Sequence, residues 1–375
     1  MIEFKNIKKK YKKNTVLENF NLTIEKGKLV VLIGASGSGK TTLLKMINRL
    51  IPISDGQILI NGQDIYKMDP IELRRRIGYV IQQTGLFPHM TVKENIEVIP
   101  RLIGMPNDEI EAKTIELLNM VGLDPEMYID RYPAELSGGQ QQRVGVARAF
   151  AAGAEIILMD EPFSALDPIT RAELQEELFN IQKEYNKTIV FVTHDMDEAI
   201  NIADKICILQ KGKIIQYDTP ENILKNPAGD YVEEFIGKDK IWSKPEFIRA
   251  EDVMITKPIS ASGNRNLLQA REIMRDNKVD SLLIVNREKK LEGYITVEDI
   301  QKIKDKSTLI RDIMRKSPEY VVENTSLPDL LEVFNNLKRG YLPVCNDSGK
   351  LLGLITRSSL ISVLSSQYIE QGGDN

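Results

Sequence analysis

The sequence predicts an α/β phosphate-binding domain followed by a duplicated α+β unit, and three observations carry that expectation. GASGSGKTT, Gly34 to Thr42, lies between the apolar strand LVVLI and the helix-like TLLKMINRL. Further on, the strand-like EIILMD and KTIVFVTH are separated by the helical RAELQEELFNIQKEY, an alternation that implies a parallel sheet covered by helices. Beyond residue 250 an ungapped repeat runs at a spacing of 60 residues. In it GYITVEDI, Gly293 to Ile300, returns as GLITRSSL, Gly353 to Leu360.

At 375 residues the chain exceeds one ordinary core, which agrees with two or three domains. A hydrophobic content of 42% beside 28% charged residues is that of a globular protein. The net charge of −4 and pI near 5.6 give no reason to expect a nucleic-acid partner. Cys207 and Cys345 sit in apolar runs and read as reduced, buried thiols. With His89 and His194 as the two histidines, a zinc site lacks ligands. No signal peptide is visible at MIEFKNIKKKY, and LVVLIG, IILM and TIVFV are too short to span a bilayer. A cytosolic chain is expected, unless a partner holds it at a membrane.

The elements follow in order. IEFKNI, VLENFNLTI, KLVVLIG and GQILING read as strands punctuated by Gly27, Gly56 and Gly62. From about Asp69 to Ala152 the pattern is mostly helical, with IELRRRIG and EIEAKTIELLNMVGL the clearest amphipathic pieces. KICILQ and KIIQYD flank a KG turn, and a last helix gives way to a proline-punctuated polar stretch. The expected domains are 1–237 with a helical part at about 88–150, a linker at 238–250, repeats at 251–310 and 311–366, and a frayed tail at 367–375.

The phosphate loop comprises Gly34, Ala35, Ser36, Gly37, Ser38, Gly39, Lys40, Thr41 and Thr42. Its glycines let backbone N–H groups turn inward around phosphates, and the following helix presents its positive end. Lys40 can reach the β- and γ-phosphates, and the Thr41 hydroxyl can ligate Mg²⁺. IILMDEP ends an apolar strand in two acids. Asp160 suits Mg²⁺, and Glu161 suits the base that deprotonates attacking water. LSGGQQQR supplies Ser137, Gly138, Gly139 and Gln140, a second anion site at a helix start. One domain has no use for two such sites unless a second subunit completes each.

Together these motifs resemble the ATP-binding cassette (ABC) ATPases over about residues 1–240. The resemblance implies a P-loop, RecA-like core with a helical subdomain, and a head-to-tail homodimer that sandwiches two ATPs. It further implies that Tyr11, 23 residues before Gly34, stacks on adenine. Gln82 would sense Mg²⁺ and water, Asp167 of SALD would cross the dimer seam, and His194 would be the switch histidine. GLFPHMTVKENI, Gly85 to Ile96, lies where importers meet the coupling helix of their membrane subunit; His89 within it is given no chemistry.

NRLI, DPIELRRRIGYVIQQTGLFPHMT, DRYPAELSGGQQQR, DEPFSALDPITR and VEEFIGK are similar to the importers of glycine betaine, carnitine and choline. That similarity implies transmembrane permease subunits, an extracellular substrate-binding protein and a place at the cytoplasmic face of the membrane. An importer of another small polar solute, or a soluble nucleotide-regulated ABC ATPase, are the alternatives. The repeat resembles a tandem pair of cystathionine-β-synthase-type (CBS) domains, an α+β fold with clefts for adenine nucleotides. In that family Thr296 would hold phosphate and Asp299 ribose. The second copy has Thr356 but lacks the acid and gains Arg357. Three readings of the pair stand. In the first, cyclic di-AMP binds a cleft formed by Ile259, Val279, Ser281, Tyr341, Thr356 and Arg357. In the second, a basic face of Lys302, Lys304, Lys306, Arg311, Arg315 and Lys316 senses ionic strength against anionic lipid. In the third, the pair braces a dimer.

Overall fold

Alternation of apolar and polar residues makes IEFKNIKKKY a half-buried strand, with Ile2, Phe4 and Ile7 turned inward. The inward spacing lengthens between Phe4 and Ile7 because Asn6 takes a left-handed φ of 50° and a bulge breaks the register. This strand, β1 (Ile2–Tyr11), joins β2 (Asn14–Ile24), β4 (Asp55–Ile60) and β5 (Gln63–Asp64) in an antiparallel sheet of order β2-β1-β4-β5. The computed structural model describes residues 1–362 apart from 13, 83–84, 165, 238–243, 317 and 338–339. The first six residues of the expected linker, 238–243, and the whole expected tail therefore lie outside the described residues.

The central sheet is built from continuous apolar runs. β3 (Leu29–Gly34), β7 (Ile156–Asp160) and β8 (Thr188–Val192) are buried along their whole length, as parallel strands covered on both faces must be. With β6 (Ile77–Val80), β9 (Lys205–Gln210) and β10 (Lys213–Asp218) they run β10-β9-β3-β8-β7-β6, parallel except for β10. The core helices are α1 (Lys40–Ile47), α2 (Pro70–Arg75), α7 (Pro168–Tyr185), α8 (Met196–Ile202), α9 (Pro220–Lys225) and α10 (Asp230–Ile236). The helical subdomain consists of α3 (Val92–Leu102), α4 (Asn107–Met120), α5 (Pro125–Tyr128) and α6 (Gly138–Ala151). One strand departs from the mostly helical expectation for 69–152. IGYV is too short to declare a period, and its pairing with β7 makes it β6. Gly78 within it lets α6 close in, since a Cβ there would lie 2.3 Å from the Ala149 carbonyl oxygen.

The chain divides into two compact units, Met1–Lys238 and Asp239–Asn375. In the second, α11 (Ala250–Val253) precedes β11 (Ser260–Ser262), α12 (Leu267–Asp276), β12 (Ser281–Val285), β13 (Leu291–Thr296) and α13 (Val297–Lys302). Then come α14 (Ile310–Ile313), β14 (Arg315–Lys316), β15 (Val321–Val322), α15 (Leu327–Asn336), β16 (Tyr341–Cys345) and β17 (Leu351–Thr356), with residues 357–362 helical. The bounds of α12, β12 and β13 recur in α15, β16 and β17 at the repeat spacing.

The two cores are assembled across the limits 251–310 and 311–366. Ile248, Ala250 and Val253 pack with Leu327, Leu342 and Ile355 of the second copy, whereas Ile313 and Met314 pack against the core of Leu267, Leu282 and Ile295 of the first. Each opening segment adds backbone bonds to the opposite copy: Ile255 bridges Leu354, and Arg315 pairs with Tyr294. The glycine of each motif is the point of approach. A Cβ on Gly293 would lie 2.6 Å from the Arg315 carbonyl oxygen, and one on Gly353 would lie 2.5 Å from Met254 Sδ.

Candidate functional site

Parallel order brings the carboxyl ends of β3, β6, β7 and β8 to one side of the sheet, the usual place for a ligand in an open α/β fold. After β3 the loop needs left-handed backbone: φ is 78° at Gly37 and 106° at Gly39, the N-cap of α1. Lys40 is buried, and its ammonium donates to the Gly34 and Ala35 carbonyls at 2.7 and 3.1 Å. Burial holds its pKa below the usual lysine range, against the pull of Glu161 and Asp160. Ser38 Oγ is buried with no hydrogen-bond partner among the described residues. A cation turned back onto its own loop beside an orphaned hydroxyl fits a group of phosphate oxygens. Ala35 and Ser36 are exposed, while Thr41 and Thr42 are partly buried on the first turn of α1.

The acids at the end of β7 differ in setting. Asp160 is buried and accepts from the Thr41 hydroxyl at 2.8 Å. Burial raises its pKa, with the Thr41 hydrogen bond opposing. A hydroxyl and a carboxylate converging in this way are a hard-oxygen pair of the kind Mg²⁺ uses. Glu161 stands in the left-handed region, φ 47°, an uncommon conformation for a residue with a side chain. Its Oε2 accepts from Gln82 Nε2 at 3.1 Å, and its Oε1 lies 3.4 Å from His194 Nδ1. The three residues expected to be catalytic thus meet, although 79 positions separate Gln82 from Glu161.

The other expected residues occupy separate places. Tyr11 ends β1, the residue 45% exposed and the Lys9 ammonium 4.5 Å from its ring centroid. Ser137 caps α6 in a reciprocal box: its Oγ accepts from the Gln140 amide at 3.3 Å, and its own amide donates to Gln140 Oε1 at 2.9 Å. Gly138 opens to free space, whereas a Cβ on Gly139 would meet Leu166 at 3.0 Å. Asp167 caps α7, accepting from Ile169 and Thr170 amides. Sequence reasoning passed over Asn95, buried in α3, which holds the segment ahead of it through Phe87, Met90 and Thr91 carbonyls. Phe87 and His89 face each other there with centroids 6.0 Å apart, Phe87 being exposed. A groove of about 650 Å³ lies in the same unit, lined by Arg75, Arg76, Leu102 and Ile103 among others.

In the second unit a cleft of about 860 Å³ gathers residues from both copies: Ile259, Val279, Ser281 and Thr296 with Tyr341 and Thr356. Tyr294, which the sequence did not single out, and Arg315, expected on a basic face rather than here, also line it. Tyr294 meets Tyr341 edge to face at 6.3 Å, and the Arg315 guanidinium lies 5.7 Å from the Tyr294 ring. Arg357, expected to line the cleft, is exposed one residue beyond Thr356 and is not among the residues that line it. Asp299 has an occupation that the motif alone does not suggest. Both its oxygens accept from Arg315, at 2.8 and 3.1 Å, and the Thr296 hydroxyl donates to one of them at 2.9 Å. In the second copy Ser359 keeps the cap: Thr356 N donates to Ser359 Oγ at 3.0 Å, and Ser359 N to Thr356 Oγ1 at 3.1 Å. Of the proposed basic face, Arg315 is engaged with Asp299, and Lys306 donates to the Ile300 and Ile303 carbonyls.

A phosphate loop and a paired acidic strand end on the central sheet, with a capped second glycine site opening α6, define a P-loop nucleoside triphosphatase. Comparison with known proteins narrows the class. The ABC transporter family matches residues 17–164, and the CBS domain family matches 250–305 and 310–366. The choline transport ATP-binding protein OpuBA of Bacillus subtilis is 49% identical over 97% of this chain and 96% of its own length. The carnitine transport ATP-binding protein OpuCA of Listeria monocytogenes is 49% identical over 97% of this chain and 92% of its own. Among solved structures, a dimeric ATP-binding cassette in a post-hydrolysis state, bound to ADP and phosphate, covers 59% of this chain. That match has a TM-score of 0.55 and 36% identity, over 99% of the cassette. The chain belongs to the ABC transporter ATP-binding proteins of the osmoprotectant group that end in paired CBS domains, and it is an ATPase. No helix among the described residues is long and apolar enough to cross a membrane.

Proposed function

We propose that this chain hydrolyses MgATP as a homodimer at the cytoplasmic face of the membrane. It powers import of a quaternary amine (glycine betaine, carnitine or choline) through separate permease subunits fed by an extracellular binding protein. The observation that carries the ATPase reading is Glu161 bracketed by Gln82 and His194 beside the Thr41–Asp160 pair. Lys40 and the loop amides bind the β- and γ-phosphates, and Tyr11 offers its exposed ring to adenine. Thr41, Asp160 and Gln82 are the residues to hold Mg²⁺, which neutralises charge developing on the phosphates. Glu161 takes the proton of attacking water, and His194 and Gln82 fix its carboxylate. Ser137 to Gln140 and Asp167 serve the site of the second subunit. Phe87 and His89, with the groove at Leu102 and Ile103, suit the permease contact. Deleting the gene should abolish growth rescue by betaine, carnitine and choline at high salt. The transport reading fails if rescue persists, or if the tagged chain never co-purifies with a multi-span membrane subunit.

The CBS cleft is read as a cyclic di-AMP site. Its volume suits a dinucleotide, Tyr294 and Tyr341 offer aromatic rings, and Thr356 with the Arg315 N–H groups that Asp299 does not engage offers donors to phosphate. Asp299, committed to Arg315, is poorly placed to read ribose. The 3′,5′-linked riboses of this ligand lack the free 3′-hydroxyl that such an acid would clamp. Titration calorimetry of the full chain with cyclic di-AMP, ATP and AMP should give heat with the first, and less after Tyr341→Ala. Heat only with AMP or ATP, or none at all, removes the assignment.

A further inference from the structure

Behind the catalytic carboxylate lies a group of charged side chains that the hydrolytic chemistry leaves unexplained. Glu198, on the first turn of α8, is 6% exposed, a costly place for an acid without partners. Its Oε2 accepts from the Thr193 hydroxyl at 2.6 Å, and that hydroxyl accepts from the Asp195 amide at 3.0 Å. Thr193 and Asp195 are the two neighbours of His194. Glu198 therefore fixes the Thr193 hydroxyl, which in turn holds the backbone amide on the far side of the switch histidine.

Arg171, on the first turn of α7, completes the connection. Its Nε lies 3.5 Å from Glu198 Oε1 and its Nη1 lies 3.6 Å from Asp195 Oδ2. Its Nη2 donates to the Leu166 carbonyl at 3.0 Å. Leu166 immediately precedes Asp167 and touches the position of Gly139. One guanidinium thus spans the segment that carries Asp167 and the segment that carries His194. A small pocket of about 50 Å³ runs between them and opens on Glu161 and Ser164. Burial pushes the Glu198 carboxyl up, and the Thr193 hydroxyl and the Arg171 charge draw it back.

We propose that Arg171 and Glu198 are a positioning pair that couples the Leu166–Asp167 segment to His194 and sets turnover without contributing to ATP binding. Neither residue touches the phosphate loop, so ATP affinity has no direct dependence on them. The backbone around the exposed imidazole of His194 is tied to the sheet and to α8 by Thr193 N donating to the Leu32 carbonyl at 3.4 Å and Ala199 N to the Asp195 carbonyl at 3.2 Å, and the Glu198–Thr193–Asp195 bonds add the side-chain support to it. Loss of the pair leaves the imidazole free to leave Glu161.

The test is steady-state ATPase kinetics of the full-length protein carrying Glu198→Gln, Arg171→Ala, Arg171→Lys and the Arg171→Ala/Glu198→Gln double change. Each of Glu198→Gln and Arg171→Ala should lower kcat about tenfold, with KM for ATP within about twofold. The double variant should be no slower than either single one, and Arg171→Lys should recover part of the loss. Because the chain has two histidines, the imidazole resonances of His89 and His194 can be told apart by NMR. Glu198→Gln should shift that of His194 and leave His89 in place. Additive losses in the double variant, a KM rising in step with the fall in kcat, an unmoved His194 resonance, or a lowered Tm with unchanged kcat would each overturn the proposal. Should Glu198→Gln fail to fold, Arg171→Lys and Arg171→Ala decide by the same split and the same resonance.

Discussion

Glu161 Oε1 lies 3.4 Å from His194 Nδ1 while Glu161 Oε2 accepts from Gln82, so one carboxylate is held by the loops that follow three different strands. Glu161→Gln keeps the shape and removes the proposed base. It should bind ATP and dimerise in size-exclusion chromatography yet hydrolyse about 100-fold more slowly or worse. Hydrolysis near the parent rate would sink the assignment of the base.

Lys40 is buried with its ammonium on two backbone carbonyls, poised to exchange them for phosphate. A charge-assisted hydrogen bond contributes about 1.5–3 kcal/mol, so Lys40→Met should weaken ATP binding by roughly 10- to 150-fold. Fluorescent-nucleotide titration measures this, and unchanged affinity would contradict the reading of the loop.

Asp299 titrates below the usual carboxylate range. Burial pushes it up, but the Arg315 hydrogen bonds and the Thr296 hydroxyl and amide together hold it down. A depressed folded pKa contributes stability that is present above the ordinary value of about 3.9 and is lost as pH falls through the folded value. In melting curves, the advantage of the parent over Asp299→Asn should be full at pH 6 and shrink below about pH 4. A difference independent of pH would show that the ion pair is not the cause.

The two motif glycines should differ in tolerance. A methyl at Gly293 would meet the Arg315 backbone at 2.6 Å, whereas one at Gly353 would first meet the flexible Met254 side chain. Gly293→Ala is expected to cost about 1–3 kcal/mol in urea unfolding, and Gly353→Ala less. Equal costs would argue that the two crossings are packed alike.

Much of the candidate ATP site could be proposed from the sequence because its residues are neighbours in sequence or end recognisable strands. Gly37, Gly39, Lys40 and Thr41 need only the turn and the helix start, and Asp160 and Glu161 close an apolar run. Less legible were groups whose partners come from remote elements. IGYV is a strand only through β7. Arg171, Thr193 and Glu198 meet across α7 and α8, and no spacing announces them. Arg315 sits 16 residues past Asp299, outside the motif, so Asp299 read as an acid awaiting a ribose.

By itself the sequence determined the phosphate loop, the acidic strand end, the capped signature helix and the 60-residue duplication, because each is written in local spacing. Tertiary structure alone decided how the two copies share their parts. The opening segment of each copy crosses to the other, so the counterpart of Arg315, paired with Asp299, is Ile255, whose neighbour is the motif ending in Ser359. The acid and the arginine facing it are both absent from the second copy, while the Thr356–Ser359 cap persists. The physical reason is that a cap is satisfied within one turn of chain. An ion pair needs two distant segments, and only folding brings them within 3 Å of each other.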